Sequence, residues 1–281
     1  MKSNIDLLIG PYVGDWEQEV MTFRPYARWL QEAIDGDNKI YISAHVNRRF
    51  LYNWIDDDMF IPIYENLSRD EYQQHKNIHT ELNIKDFNML TKHIKNKVLE
   101  AQDVKRKVKA YTFNYTVNSI VNCPIYNKIF EPIQVESEDK NNIVYIPDNR
   151  ETEERINAIY EHLINNYDDV LVIGDTNTYL KDKNPVLDCI DYFENGYVYI
   201  MEYISSAKAV ICPASHWTAI ANMQGIPVFS WGNAVGPFRH NGIYNFNNTN
   251  YMAIATDNNT PINIITNMID YFIEKLEGGK C

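Results

Sequence analysis

Long apolar runs are missing from this sequence of 281 residues. The opening stretch has one short apolar run, which Asp6 interrupts, and a secretory signal peptide needs a longer apolar core. Nowhere do about 18 apolar residues follow one another, which is the length that a membrane-spanning helix needs. We therefore expect neither a signal peptide nor a membrane span, and we expect a cytoplasmic protein.

Cysteine is scarce, and its spacing excludes the usual cysteine chemistry. The four cysteines show no CxxC pattern, and Cys212 lies inside an apolar run. The other three are Cys123, Cys189 and Cys281. This distribution favours buried, reduced thiols over disulfides or a zinc site.

Basic residues are outnumbered, with 26 Lys and Arg against 38 Asp and Glu and a formal net charge of −12. Coating of nucleic acid without sequence preference needs cations to neutralise phosphates, so the composition argues against that function. The exception is the segment of residues 85–109, in which basic residues outnumber acidic ones. We expect a solvated helix face there, with a docking surface for an anionic partner as the alternative.

Three motifs of common enzyme classes are also absent. The sequence has no GxxxxGK[ST] loop, no GxGxxG after an expected strand and no GxSxG. The usual sequence support for P-loop nucleotidases, dinucleotide oxidoreductases and serine hydrolases is therefore missing.

Apolar periodicity predicts a first lobe that begins β-α-β-α-β. The expected strands are residues 4–10, 39–44 and 59–63, and the expected helices are residues 16–34 and 47–54. A further helix with a basic face is expected at residues 86–108. Residues 136–142 (ESEDKNN) are polar and lack periodicity, which is typical of a linker. We therefore place the boundary between residues 137 and 138, which gives lobes of residues 1–137 and 138–281.

The second lobe has a sharper pattern of alternating strands and helices. Strands are expected at residues 143–146, 170–173, 197–200 and 209–212, and helices at residues 151–164, 186–193 and 216–224. An amphipathic helix at residues 261–276 closes the chain and is long enough to cross back to the first lobe. This alternation predicts parallel βαβ units, so the expected fold class is α/β with two lobes.

The most informative segment is residues 209–233, AVICPASHWTAIANMQGIPVFSWGN. Ser215 is a good N-cap residue, Gly225 stands where a helix ends in a left-handed residue, and Pro227 prevents the helix from continuing. The helix therefore starts at the carboxyl edge of a parallel sheet, where its free N–H groups and dipole suit a diphosphate. We expect the first turn, Ser215 with His216, Trp217 and Thr218, to bind that group.

This segment resembles the signature of ADP-heptose-type bacterial glycosyltransferases, in which a small-residue turn opens a helix that ends in Gly-hydrophobic-Pro. The matching positions are Ser215, Ala221, Gly225, Ile226, Pro227 and Gly232. The chain departs from the pattern at Ala214, His216 and Ala219, where the family has Asp, Gly and His. The resemblance implies a GT-B fold with two Rossmann-like lobes and a cleft between them. It also implies a nucleotide-diphosphate sugar as donor, held by the second lobe, an acceptor held by the first, and no cofactor.

A second match lies in the loop after the first expected strand. The family has Gly-Asp there, and this sequence has Gly14-Asp15. Because an inverting transfer needs a carboxylate to take the proton of the acceptor hydroxyl, the resemblance makes Asp15 the catalytic base. Asp15 also fits a helix N-cap before Trp16, and that alternative stays open.

Other residues are assigned by their place near the expected cleft, although each also fits an ordinary loop or surface position. The donor side comprises Arg150, expected to meet the phosphates, together with Asp175, Thr176, Glu202 and Arg239. The acceptor side comprises Tyr12, Gly14, Arg24, Lys105 and Arg106.

No metal site is expected. Asp56-Asp57-Asp58 resembles the DxD motif of GT-A glycosyltransferases, but it precedes an expected strand in an acidic chain. His75 and His79 have helical spacing without the glutamate of an HExxH motif.

The expected function is transfer of a hexosyl, pentosyl or heptosyl group to a saccharide hydroxyl. One alternative is a phage-type DNA glycosyltransferase that acts on a hydroxymethylated base, with residues 85–109 near the DNA. Two others are a noncatalytic module that binds sugar nucleotides and an enzyme like the polysaccharide pyruvyl transferases.

Overall fold

The chain forms two compact units, Met1–Ile129 and Phe130–Cys281. The computed structural model describes residues 5–13, 16–34, 38–63, 84–102, 106–112, 129–135, 141–148, 150–174, 186–188, 196–233, 235–245, 247 and 249–278. The boundary expected between residues 137 and 138 lies outside these ranges and stays a prediction. In the described ranges, no helix combines the length and the apolar character of a membrane span.

The first unit is built on a parallel sheet in the order β2-β1-β3. Its strands are β1 (Ile5–Ile9), β2 (Ile40–Ile42) and β3 (Lys107–Tyr111). Its helices are α1 (Trp16–Gln18), a π-helix (Glu19–Phe23), α2 (Arg24–Ala33), two 3-10 helices (Val46–Tyr52 and Asp57–Met59) and α3 (Ile84–Ala101). The buried side of α3, with Ile94 and Val98, packs with Leu8 of β1 and Val108 of β3.

Two expectations for the first unit are wrong. No strand forms at residues 59–63, where Phe60 and Ile63 make isolated bridges only. The helix expected to reach residue 108 ends at Ala101, and Val108 lies in β3. Residues 107–109 alternate between exposed and buried, which is the period of a strand and not of a helix.

The second unit is built on a six-stranded parallel sheet in the order β6-β5-β4-β7-β8-β9. Its strands are β4 (Ile143–Tyr145), β5 (Val170–Gly174), β6 (Val186–Asp188), β7 (Ala209–Pro213), β8 (Val228–Gly232) and β9 (Tyr251–Ala255). Its helices are α4 (Glu153–Asn166), α5 (Gly196–Ser205), α6 (His216–Met223), α7 (Gly236–Tyr244) and α8 (Ile262–Glu277). Two units with parallel sheets confirm the expected α/β class.

The last helix, α8, buries its apolar side within the second unit. Ile265, Ile269 and Phe272 recur at intervals of four and three residues, so they lie on one side of the helix. They join a core cluster with Leu163 of α4 and Phe229 of β8. α8 and α4 therefore cover the same face of the six-stranded sheet.

Two further expectations for the second unit are wrong. Residues 197–200 belong to helix α5 and not to a strand, and residues 186–188 form strand β6 and not a helix. The aromatic and β-branched side chains of α5 favour a strand locally. However, Ile200, Met201 and Ile204 are buried on one helical side, and this packing outweighs the local propensity.

Candidate functional site

The order of the six strands creates a crevice between the ends of β4 and β7. The chain runs outward from β4 through β5 to β6 on one side, and from β7 through β8 to β9 on the other. The segments that follow β4 and β7 therefore leave the sheet in opposite directions. In open α/β sheets, ligands bind at such a switch point, outside the carboxyl ends of the strands.

The turn after β7 has the strand, N-cap and helix predicted at residues 209–224. Ser215 is the N-cap of α6, and its N–H donates to the hydroxyl of Thr218 at 3.3 Å. That hydroxyl donates to the carbonyl of Pro213 at 3.3 Å, and Thr218 is fully buried. Thr218 was expected to contact the donor. Its buried hydroxyl instead stabilises the turn through these two hydrogen bonds.

The next two side chains of this turn are partly exposed. The rings of His216 and Trp217 lie 4.7 Å apart, and both residues are half-buried. In the first turn of a helix, backbone N–H groups have no helical acceptor. The start of α6 therefore offers donors for an anion at the switch point.

Arg150, after β4, bridges this crevice. Its Nε donates to both carboxylate oxygens of Asp148, at 2.9 and 3.0 Å, and its Nη2 donates to the carbonyl of Ala214 at 3.2 Å. The Arg150 side chain is 73% exposed. Its Nη1 makes no hydrogen bond to any residue that the structure describes, so it is available to a ligand.

Asp148 is held as an anion beside these cations. Burial opposes its ionisation, but hydrogen bonds and charge from Arg150, together with the charge of His216, hold the pKa of the carboxyl below its usual value. The pKa of His240 is also lowered, by burial and by the charges of Arg239, His216 and Arg150, which favours its neutral form. Arg150 and His216 thus act electrostatically on both Asp148 and His240.

A cavity of about 320 Å³ lies at the ends of β4, β7, β8 and β9. It is lined by Asp148, Arg150, Glu151, Arg155, Pro213, Ala214, Trp231, Gly232, Asn233, Gly236, Thr256, Asp257 and Asn258. Small residues make one side of it. A Cβ atom on Gly232 or Gly236 would lie 3.3 or 3.4 Å from that of Ala214.

Arg155 of α4 holds the loop that forms another side of the cavity. Its Nη2 donates to the carbonyls of Asp257, at 3.0 Å, and Thr260, at 3.2 Å, and its Nη1 donates to Glu151 at 2.9 Å. This role could not be predicted from the sequence, because an arginine near a helix start is usually a solvated surface charge. Its loop partners lie about a hundred residues away.

The remaining predicted donor residues lie elsewhere. Glu202 lies within α5 and not at a strand end, and Arg239 is exposed on α7. Neither lines the cavity. Asp175 and Thr176 lie outside the described residues.

In the first unit, two of the predicted acceptor residues lie in the interior. Tyr12 and Arg24 are both 2% exposed. The ring of Tyr12 packs 4.8 Å from that of Phe23, and Nε of Arg24 donates to the carbonyl of Leu51 at 2.9 Å. Both therefore belong to the interior.

Arg106, also expected on the acceptor side, is half-buried and pairs with the buried carboxylate of Asp6 at 3.4 Å. Gly14, Lys105 and the expected base Asp15 lie outside the described residues. Among the residues in the described ranges, no three His, Cys, Asp or Glu side chains gather as metal ligands.

Comparisons with known proteins bear on the fold. No protein-family model matches the sequence, and no curated protein matches it. Among solved structures, the E. coli heptosyltransferase WaaC with ADP matches with a TM-score of 0.50 and 9% identity, over 97% of this chain and 99% of that chain. E. coli ADP-heptose lps heptosyltransferase II matches with a TM-score of 0.51 and 12% identity, over 97% and 99%. The chain therefore has the fold of these GT-B heptosyltransferases, as the resemblance of residues 209–233 implied.

Proposed function

We propose that this protein is a glycosyltransferase whose donor is a nucleotide-diphosphate sugar, with the diphosphate at the start of α6. The observation that carries the proposal is the bond from Arg150 to the Ala214 carbonyl, which brings a cation to the first turn of α6. A helix start and a guanidinium together suit a diphosphate. The names of the two structural neighbours mention ADP and ADP-heptose, which supports a donor of this class.

Arg150 is suited to stabilise the leaving nucleotide diphosphate. When the bond to the sugar breaks, negative charge grows on the diphosphate, and a cation that is already oriented stabilises that charge without reorganisation. Asp148 orients the guanidinium through Nε, which leaves Nη1 for a phosphate oxygen. His216, in the same turn as Ser215, adds an imidazole donor.

Asp15 is the proposed general base. A carboxylate that follows the first strand would take the proton of the acceptor hydroxyl as that oxygen attacks the anomeric carbon. We expect Asp15→Asn to lose transfer while it keeps donor affinity. Unchanged transfer would assign Asp15 to helix capping instead.

The experiment that tests the donor is a thermal-shift screen with UDP-, GDP-, ADP- and CMP-sugars, with and without Mg²⁺. A ligand that binds only the folded state raises the melting temperature, by an amount that grows with its concentration relative to Kd. We expect one nucleotide family to stabilise the protein without metal, and release of that nucleoside diphosphate on addition of acceptor. An unchanged melting temperature with every nucleotide sugar, together with an increase by phosphoenolpyruvate, would favour pyruvyl transfer instead. Binding without turnover would favour a noncatalytic module.

The proposed acceptor is a saccharide hydroxyl. The alternative is a hydroxymethylated base in DNA, and the observation that favours it is the exposure of Lys92 on α3 and of Lys107 and Lys109 on β3. A DNA acceptor predicts binding to duplexes that weakens steeply with salt, because phosphate contacts release counterions. A fluorescence-anisotropy titration at two salt concentrations separates the two acceptors.

A further inference from the structure

The cavity beside the Ala214 turn carries side chains that can hydrogen-bond but have no partner within the described chain. The carboxamides of Asn233 and Asn258 and the hydroxyl of Thr256 line it and make no side-chain hydrogen bond to any described residue. Glu151 accepts from Arg155 through Oε2, and Oε1 has no described partner. The cavity therefore presents both hydrogen-bond donors and acceptors to a ligand.

The charges that line the cavity disfavour an anion. Its carboxylates are those of Asp148, Glu151 and Asp257, and its guanidinium groups are those of Arg150 and Arg155. Arg155 is already committed to Glu151 and to carbonyls of the loop after β9. Carboxylates are therefore in excess, and a phosphate group inside would meet net repulsion.

A neutral ligand with many hydroxyl groups fits this chemistry. Each hydroxyl both donates and accepts, so it can donate to a carboxylate or a carboxamide oxygen and accept from a carboxamide N–H. The volume of about 320 Å³ lies at the lower end of the range for ligand pockets, roughly 300 to 1,000 Å³. It suits a single ring and not a whole nucleotide sugar.

We propose that this cavity is a subsite for one neutral, polyhydroxylated ring, bound by Asn233, Thr256 and Asn258. The source of the ring rests on the proposed function, and it is either the transferred sugar or the ribose of the donor. Arg150 borders both regions, so the charged diphosphate stays at the start of α6 while the ring enters the cavity. The loop held by Arg155 then contributes to selectivity for the ring.

The test uses Asn233→Ala and Asn258→Ala, with Asn263→Ala as the matched control. Asn233 is exposed, and its substitution removes only the side-chain amide. The backbone carbonyl of Asn258, which accepts from Arg155, remains after substitution. Asn263 is an exposed asparagine on α8 that does not line the cavity. Equal melting temperatures of all variants show that the fold is kept.

Isothermal titration then compares a nucleoside diphosphate, its 2′-deoxy analogue and the nucleotide sugar. If the cavity holds the transferred sugar, each variant lowers the affinity for the nucleotide sugar by roughly threefold to tenfold. The affinity for the nucleoside diphosphate stays unchanged. If the cavity holds the ribose, each variant also lowers the affinity for the nucleoside diphosphate. The variants then bind the nucleoside diphosphate and its deoxy analogue equally well. Wild-type affinities for all ligands in both variants would overturn the subsite.

A second readout does not depend on the proposed donor. If the wild type binds no nucleotide at all, the proposed function fails, and saturation-transfer NMR with a panel of free monosaccharides tests the cavity alone. A signal in the wild type and the control that disappears in Asn258→Ala supports the subsite. No signal, or an equal signal in all proteins, overturns it.

Discussion

Glu19 of the first unit and Arg150 of the second unit are charged residues in opposite surroundings. In the first unit, Glu19 is completely buried and accepts hydrogen bonds from Arg48 and from the hydroxyl of Tyr52, both at 2.6 Å. In the second unit, the side chain of Arg150 is 73% exposed at the end of a strand. The Glu19 charge of the first unit therefore stabilises the interior, whereas the Arg150 charge at the switch point of the second unit is accessible to a ligand.

The buried network of the first unit is continuous with its aromatic core. The guanidinium of Arg48 lies 5.4 Å from the centre of the Trp16 ring, and Tyr52 stacks on Phe60 with the ring centres 5.9 Å apart. Glu19 opens the π-helix that joins α1 to α2. A π-helical turn is rare and is often found where a side chain has a particular role. We infer that this segment sets the position of Glu19.

The comparison is tested most strongly by Arg48→Ala. The change leaves the Glu19 carboxylate buried without its cation, and loss of one partner of a buried pair costs about 3 to 5 kcal/mol. We expect urea denaturation to show that loss in the free energy of unfolding. The control is Asp57→Asn, whose side chain is 96% exposed in its pair with Arg49 and whose expected change is below about 1 kcal/mol. Equal effects of the two changes would show that the buried pair of Arg48 and Glu19 contributes no more to stability than an exposed pair.

Arg150→Ala tests the second half of the comparison. We expect donor affinity to fall by about 1.5 to 3 kcal/mol, the usual contribution of a hydrogen bond to a charged group. Stability should change by less than about 1 kcal/mol, because the pair with Asp148 is largely exposed on the arginine side. Titration calorimetry and a melting curve measure both quantities. Lys208→Ala, which removes an ion pair with Glu277 elsewhere in the unit, should leave donor affinity unchanged.

Thr218→Val tests whether the hydroxyl of Thr218 stabilises the turn. The valine keeps the shape but loses the acceptor for the Ser215 N–H, and loss of a helix-capping bond costs about 0.5 to 2 kcal/mol. Thr218→Ser, which keeps the hydroxyl, should be closer to the wild type in urea denaturation. If both variants retain full stability, the hydroxyl does not fix the turn.

His240 should give the smallest effect, seen as a dependence of stability on pH. Its pKa in the folded protein lies below the usual 6.5, mainly because of burial. The unfolded chain therefore binds a proton at a higher pH than the folded one, and stability falls as the pH drops below about 6.5. We expect melting temperatures between pH 7.5 and 5 to fall less steeply for His240→Gln. Identical slopes would show that folding does not lower the pKa of His240.

The distance along the chain between a residue and its partners explains what could be predicted from the sequence. The turn at Ser215 was predictable, because an N-cap, a helical period and the glycine and proline that end the helix lie within a few residues. The burial of Arg24 was not, because its partner is the carbonyl of Leu51, twenty-seven residues away. The role of Arg155 depends on a loop still farther along the chain. Local patterns thus predicted the turn and the helix that follows Ser215, whereas partners that are distant in sequence decide whether a charge is exposed.

Hydrogen–deuterium exchange with the nucleotide that stabilises the protein tests the central claim most directly, because it reads the backbone N–H groups at the start of α6. We predict that the ligand slows exchange in peptides that cover residues 213–218 and 146–151, and that Arg150→Ala reduces this protection at the same ligand concentration. Protection confined to the first unit, or absent from both of these segments at saturation, would contradict a donor site at the switch point of the second unit.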